Sequence, residues 1–412
     1  MAADPPWVPG ATATERPYST LLTASRALRL GLLALGAVLA LLAASGCGGS
    51  ERAVAGRAPA DIRLGIVLPS DFRETEQLAP ALDVARIRMV WDRAQPNCRM
   101  IRRGRYDWRR IDRDVSRFAG RGIPLLVTIR GGPACASVKA RGEALEPKRA
   151  YWDDFARFAA KVVGRYGPDA KRGGAEGCCA INQLEVWNEP NIIGSWSKPD
   201  GREYGRFLEV VSKRVRRSEA SANVRIVSGG LAASNALEFT RELFSLKRIG
   251  LAFDDYGLHT YNPTPADALE LVGAVRRRIR GSGDDTPIAI TEHGWSTCAR
   301  PSATRNRGKC TTRGGQARKL DEYVTGLRRD ASLGVDAFFW YTPQDVAKPS
   351  NTRRCPTSPK YFYGFFDRDG KAKPVWERWV ELTGVAAAAP DQLPPLPPEL
   401  QRNCHGLSAS GG

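Results

Sequence analysis

A chain of 412 residues with 42% hydrophobic content can bury one large core, or a barrel with small additions. Its 62 Lys and Arg against 44 Asp and Glu leave a net charge of +18, mostly arginine and spread along the whole sequence. No compact cluster of basic and aromatic residues is present, which argues against a nucleic-acid groove and leaves a solvated arginine-rich surface, with an anionic glycan or an anionic membrane surface as the alternatives.

Residues 1–47 read as a targeting segment. Arg26 and Arg29 precede an uninterrupted run of apolar or small residues from Gly31 to Ser45. That run is shorter than the ~20 residues of a spanning helix and fits a secretory signal flanked by basic residues. It closes on Ala44-Ser45-Gly46-Cys47, which resembles a bacterial lipobox with Cys47 as the acylated first residue of the mature chain. Ordinary cleavage and an uncleaved membrane anchor are the other readings. The expectation is an exported protein, tied to the bacterial surface by lipid or secreted, with a short tether over 48–60.

From Asp61 onward, short apolar runs alternate with amphipathic helical stretches, as in strands covered on both faces. The runs are Ile62–Leu68, Ala85–Trp91, Pro124–Ile129, Ile181–Trp187, Val224–Ser228, Leu251–Leu258, Pro287–Thr291 and Ala337–Tyr341. Apolar residues at helical spacing mark Asp112–Ala119, Trp152–Tyr166, Glu203–Ala220, Ala266–Arg280, Gly314–Ser332 and Val375–Leu382. Eight such units predict an α/β fold, a (β/α)8 TIM barrel forming a single catalytic domain over 61–385. A doubly wound sheet is the alternative, but no Gly-rich phosphate turn is present. The tail, 386–412, is Ala- and Pro-rich and reads as a segment that wraps the barrel or hangs free.

Nine cysteines are present, and setting Cys47 aside for lipid leaves eight, an even number suited to an oxidising compartment. Cys298 and Cys310 flank a loop they could clip, and Cys98 and Cys135 follow neighbouring predicted strands. The adjacent Cys178 and Cys179 would each pair elsewhere; Cys355 and Cys404 complete the set. No cysteine spacing has the form of a zinc site, and neither a metal nor an organic cofactor is implied.

In a barrel of this kind the functional site lies at the C-terminal ends of the strands. The fourth run ends in Trp187-Asn188-Glu189-Pro190-Asn191 and the seventh in Thr291-Glu292-His293-Gly294-Trp295. Both therefore deliver a glutamate to the mouth, from strands that face each other across it. Two carboxyls flanking one anomeric carbon are what cleavage of a glycosidic bond requires. A strand-to-loop exit before proline is the plain structural reading of the first motif alone.

The stretch Leu184–Asn191 resembles the acid/base strand of clan A glycoside hydrolases, and Thr291–Trp295 resembles their nucleophile strand. The wording Trp-Asn-Glu-Pro-Asn is closest to family 39, with the family 5 cellulase and mannanase group a near second. By strand order the resemblance covers most of 61–384, though only the short motifs are specific. It implies a retaining glycosidase acting on an oligo- or polysaccharide, with Glu189 as acid/base, Glu292 as nucleophile and the carboxyls about 5–5.5 Å apart. It also implies that His259 and Tyr261, on one side of the sixth strand, surround the nucleophile and the sugar at the cleavage point. Arg88, at the end of the second strand, is expected beside Glu292, although Arg86 shares its parity and a shift of two would exchange them.

Asn188 is expected to bind the sugar 2-hydroxyl, and Tyr261 to hydrogen-bond Glu292. Sugar rings present apolar faces, so aromatic platforms are expected as well. Trp340 is the candidate for the floor of the cleft, with Trp295 also on that face. Trp196 is read as lying on that face too, Trp187 either as cleft or as core, and His293 either as functional or as packing. A transglycosylase using the same residues and a non-catalytic glycan-binding protein are the competing functions; the presence of both glutamates speaks against the second.

Overall fold

A computed structural model of the chain describes residues 62–69, 72, 74–140, 143–170, 180–218, 223–298, 310–345, 362–385 and 390–395. The targeting segment with Cys47, the tether, Cys178, Cys179, Cys355, Cys404 and most of the tail lie outside the described residues.

Eight parallel strands form one sheet: β1 (Arg63–Val67), β2 (Val84–Val90), β3 (Leu125–Arg130), β4 (Ile181–Asn188), β5 (Arg225–Gly230), β6 (Tyr256–His259), β7 (Ile288–His293) and β8 (Val335–Tyr341). Each strand pairs with its chain neighbours, and β1 pairs with β8. Bridges Val227–Asp255 and Leu231–Leu258 join β5 to β6 and close the ring. The expected (β/α)8 barrel is borne out.

Helices α1 (Arg109–Ala119), α2 (Trp152–Tyr166), α3 (Gly201–Arg216), α4 (Ala236–Leu243), α5 (Pro265–Gly281), α6 (Arg313–Arg329) and α7 (Pro374–Thr383) follow β2 to β8 in turn. After β1 there is only the short turn Thr75–Leu78, continued by Ala79–Ala81. The hairpin Ser137–Ala140 and Glu143–Pro147 decorates the exit from β3.

Two apolar layers hold the fold. Helix α2 presents Phe155, Phe158, Ala159, Val162, Val163 and Tyr166 to the barrel, all fully buried. Burying each large side chain is worth roughly 1.5–3 kcal/mol. Inside the ring, Val67, Val84, Leu126, Val227, Ala289, Ala337 and Phe339 form the second layer. Gly65 leaves the room that Phe339 occupies, since a Cβ there would lie 2.6 Å from its ring. Towards the strand N-termini the interior turns polar: Arg225 donates to Asp255 at 2.9 Å, and Arg63 donates to Gln183 at 3.1 Å and pairs with Asp336.

Three expectations change. The sixth run, Leu251–Leu258, divides: Ile249–Ala252 is a 3-10 turn with Leu251 exposed, and the strand starts only at Tyr256. Trp91 opens the short helix Trp91–Ala94 instead of ending β2. Helix α4 is not among the helices the periodicity marks. Both proposed cysteine pairs are disulfides: Cys98–Cys135 ties the exits of β2 and β3, and Cys298–Cys310 clips the loop after β7.

Candidate active site

Strand alternation stacks the barrel interior in layers. Along β2 the inward residues are Val84, Arg86 and Arg88, and along β3 they are Leu126, Thr128 and Arg130; the pairing Arg88–Thr128 and Val90–Arg130 keeps the two in step. Along β8 they are Ala337, Phe339 and Tyr341. Glu185 of β4 sits level with Thr128. The apolar layer thus gives way, one step up, to Arg86, Thr128 and Glu185, and then to the mouth.

Each of the two glutamates follows a break in the alternation. On β4, Trp187 has φ 78° and Glu189 φ 51°, a left-handed backbone that costs of order 1–3 kcal/mol at a non-glycine residue. The Glu189 amide donates to the Gly230 carbonyl at 2.9 Å, which pins the turn. On β7 the register slips against both neighbours, between Leu258 and His259 on one side and between Phe338 and Trp340 on the other. Ala289 therefore faces inward and so does Glu292, although they are three residues apart.

Arg86 ties the site together. Its guanidinium is fully buried and donates to Glu185 Oε2 (2.8 and 2.6 Å), to Asn188 Oδ1 (3.0 Å) and to Glu292 Oε1 (2.6 Å). Arg88 donates to the same Glu292 oxygen at 2.9 Å, and Tyr261 to Glu292 Oε2 at 3.0 Å. Glu185 also accepts from the Thr128 hydroxyl and from the Gly230 amide. Burial opposes the charge on Glu292, but His259, Arg86 and Arg88 outweigh it and hold the carboxyl well below the ordinary range. Glu292 is therefore ionised. Burial and the nearby Glu292 charge raise Tyr261 far above an ordinary phenol, so it stays a donor.

His259 lies between the glutamates. Its Nδ1 is 3.0 Å from Glu189 Oε1 and 3.9 Å from Glu292 Oε2. Its ring rests on Gly230, where a Cβ would come within 2.3 Å of Nε2, so only glycine fits. The Glu189 side chain is 23% exposed and that of Glu292 6%, which leaves Glu189 the more open to an incoming group.

The structure gathers Glu189, Glu292, Asn188, His259, Tyr261 and Arg88 at one place. Asn188 hands its Oδ1 to Arg86, which turns its amide donors away from that pair. Two expected platforms are corrected. Trp340 is completely buried: its parity points it out towards the helices, where it stacks on Phe365 at 5.2 Å and donates to the Tyr363 carbonyl at 3.0 Å. Trp295 is 2% exposed, packs on His293 at 4.2 Å and donates to the Asn262 carbonyl at 3.0 Å. The aromatic side chains at the mouth are instead Tyr341, Tyr261 and Tyr363, with ring centres 5.5 to 6.3 Å apart.

Trp187 and Trp196 are core, edge to face at 5.8 Å. His293 is also packing: its Nδ1 is hydrogen-bonded to the Thr260 hydroxyl at 2.9 Å, and burial pushes it down to about 3. Sequence reasoning missed Arg86 as a principal partner, and missed Glu185, Tyr341 and Arg130. The available signal was polarity within an apolar run, Gln183 and Glu185 in β4 above all. Among the described residues no cluster of three or more His, Cys, Asp or Glu could hold a metal ion.

No protein-family model matches the chain, and no curated protein matches it. Solved structures do. A family 39 glycoside hydrolase from the gut symbiont Bacteroides cellulosilyticus WH2 superposes on 80% of this chain and 64% of its own, at 17% identity and a TM-score of 0.56. A monomeric β-xylosidase from Caulobacter crescentus CB15 does so over 78% and 67%, at 21% identity and 0.56. The family 53 (GH53) catalytic domain of Ignisphaera aggregans is covered over 97% of its length, with 79% of this chain, at 16% identity and 0.52. The chain thus spans less than two thirds of that family 39 hydrolase. At such identities the likeness is one of fold, that of a (β/α)8 barrel.

Proposed function

We propose that this chain is a retaining glycoside hydrolase, with Glu189 as acid/base and Glu292 as nucleophile. The observation that carries the reading is the shared His259 nitrogen. Its two contacts keep the nearest oxygens of the glutamates within about 7 Å of each other. That bound admits the roughly 5–5.5 Å separation of retaining enzymes and leaves out the greater part of the 6.5–9.5 Å range of inverting ones.

In the first step the Glu292 carboxylate attacks the anomeric carbon while Glu189 gives its proton to the leaving oxygen. The glycosidic bond breaks and an ester to Glu292 forms. In the second step Glu189 takes a proton from water, the resulting hydroxide attacks the anomeric carbon, and Glu292 leaves as carboxylate. Arg86, Arg88 and Tyr261 keep Glu292 charged and aimed, and Asn188 stands where a sugar 2-hydroxyl would come. Tyr341 supplies the apolar face that the buried tryptophans do not. The named neighbours, among them a xylosidase and an endoxylanase, make xylosides the first substrates to try.

Replacing Glu292 by Gln removes the nucleophile and should reduce hydrolysis of 4-nitrophenyl glycosides at least 10⁴-fold, of the order seen for other essential nucleophiles. Glu189→Ala should recover turnover of an activated substrate when azide is added, giving a glycosyl azide of unchanged anomeric configuration. Full activity in Glu292→Gln, or an azide product of inverted configuration, overturns the assignment. The two disulfides support maturation in an oxidising compartment, and we read Cys47 as its lipid attachment point. Mass analysis of the N-terminal peptide tests this: an unmodified Cys47 in the mature protein rejects it.

A further inference from the structure

The mouth of the barrel has two unlike walls. On one side stand Tyr261, Tyr341 and Tyr363. On the other, the last inward residues of β2 and β3 are Arg88 and Arg130. Arg88 is already used: it pairs with Glu292, and its side chain keeps 40% of its surface exposed. Arg130 is different. It is only partly exposed, and its side chain has no hydrogen bond or ion pair with any described residue.

The surrounding carboxylates are spoken for. Glu185 is bound by Arg86, Glu292 by Arg86 and Arg88, and Glu189 by His259. Arg130 is thus left without a carboxylate partner among the described residues.

A guanidinium withdrawn from water without a partner is costly, and a structure keeps one at a cleft where a ligand completes it. Arg130 is also held in place. Beyond it the chain turns away at Gly131, with φ 67°, where a Cβ would lie 2.6 Å from Val90. A few residues on, Cys135 fastens that exit loop to Cys98. The arginine thus projects from the end of a strand whose following loop is stapled, which is the arrangement of a prepared binding group. Burial, with Arg88 the next cause, lowers its affinity for a proton, while the charges of Glu189 and Glu292 act the other way.

We propose that Arg130, with the exposed edge of Arg88, binds a carboxylate carried by the sugar, so that the substrate is a glycan containing uronic acid. A planar guanidinium matches a carboxylate with two parallel hydrogen bonds, which a neutral hydroxymethyl group cannot make. This inference rests on the glycoside hydrolase reading for its activity arm and is independent of it for its binding arm.

The first arm compares 4-nitrophenyl glycosides in matched pairs, glucuronide against glucoside and galacturonide against galactoside, in both anomers. The expected result is a kcat/KM for one uronide at least tenfold above that of its neutral partner. In Arg130→Gln that preference ratio should fall at least tenfold, with Arg130→Lys in between. Arg130→Gln should melt no lower than the parent, because an unpaired, partly buried charge is removed. The second arm uses the Glu292→Gln protein and calorimetry. Glucuronic acid oligosaccharides should bind, and the same oligosaccharides after chemical reduction of their carboxyls should bind at least tenfold more weakly.

An unchanged ratio in Arg130→Gln, or equal binding of the native and reduced oligosaccharides, overturns the proposal. So does a sulfated glycoside preferred over the uronide in a manner that depends on Arg130. If every glycoside is inert but the oligosaccharide binding is carboxylate-dependent and lost in Arg130→Gln, the hydrolase reading fails and the Arg130 site stands.

Discussion

The Arg86 guanidinium meets two carboxylates and one amide with no water between them, and that makes it the residue whose loss is felt furthest. Arg86→Ala would leave Glu185 completely buried with only the Thr128 hydroxyl and the Gly230 amide for partners. Breaking a buried pair from one side typically costs about 3–5 kcal/mol, and urea titration of the variant should show a loss of that size. The same change removes one of the positive charges that depress Glu292. Its carboxyl then titrates higher, and the acid limb of the kcat/KM profile should move to higher pH. An unmoved limb would mean that Arg88 and Tyr261 suffice. At this scale the sequence was partly legible. An arginine on β2 near the nucleophile could be read from parity, but Arg86 and Arg88 have the same parity and both reach Glu292 Oε1. Trp340 against Tyr341 was a choice between adjacent residues, and only the register of β8 on its neighbours decides it.

The elements themselves were legible because buried strands leave unbroken apolar runs and the helices keep one apolar face. The irregularities were not. A one-residue slip in β7 or a left-handed Trp187 leaves no mark in composition, yet each is what turns a glutamate inward. The junction of β5 with β6 is equally silent in sequence and equally demanding in space. Gly230→Ala would put a methyl 2.3 Å from His259 Nε2 and 2.4 Å from Thr291 Oγ1, so the imidazole must move. Because His259 contacts both glutamates, a displacement near 1 Å should lower kcat/KM about a hundredfold, with far-ultraviolet circular dichroism unchanged. The staple between the β2 and β3 exits makes a separate prediction. Its cysteines are 37 residues apart, and replacing both Cys98 and Cys135 by Ala should cost about 2–4 kcal/mol in a denaturant titration.

For the molecule as a whole, acid should be a gradual destabiliser well before ordinary carboxylates titrate, and His293 is the reason. It sits in the layer between barrel and helices, fully buried, facing Trp295, Tyr323, Phe338 and Trp340. The Tyr323 hydroxyl donates to Thr260 Oγ1 at 2.9 Å, and Thr260 Oγ1 is hydrogen-bonded in turn to His293 Nδ1 at 2.9 Å. Burial holds the imidazole down to about 3 from the usual 6.5. A depressed folded value means that the stability it confers is complete above pH 6.5, where neither folded nor unfolded chain protonates the ring. Below pH 6.5 the unfolded chain takes up a proton that the folded chain refuses. Stability then declines by about 1.4 kcal/mol per pH unit, a few kcal/mol in all by pH 3. Glu292 adds to the decline only further down, below its ordinary 4.5, because it too is depressed by folding. The two contributions separate on the pH axis. Thermal or urea denaturation followed from pH 8 to pH 4 should show a slope opening near 6.5 in the parent. His293→Gln, whose amide can keep a bond to Thr260 and cannot titrate, should be flat down to about 5 and bend only where the carboxylates take over. A parent curve that is level between pH 6.5 and 5, or a variant that keeps the parent's slope there, would remove His293 from the account.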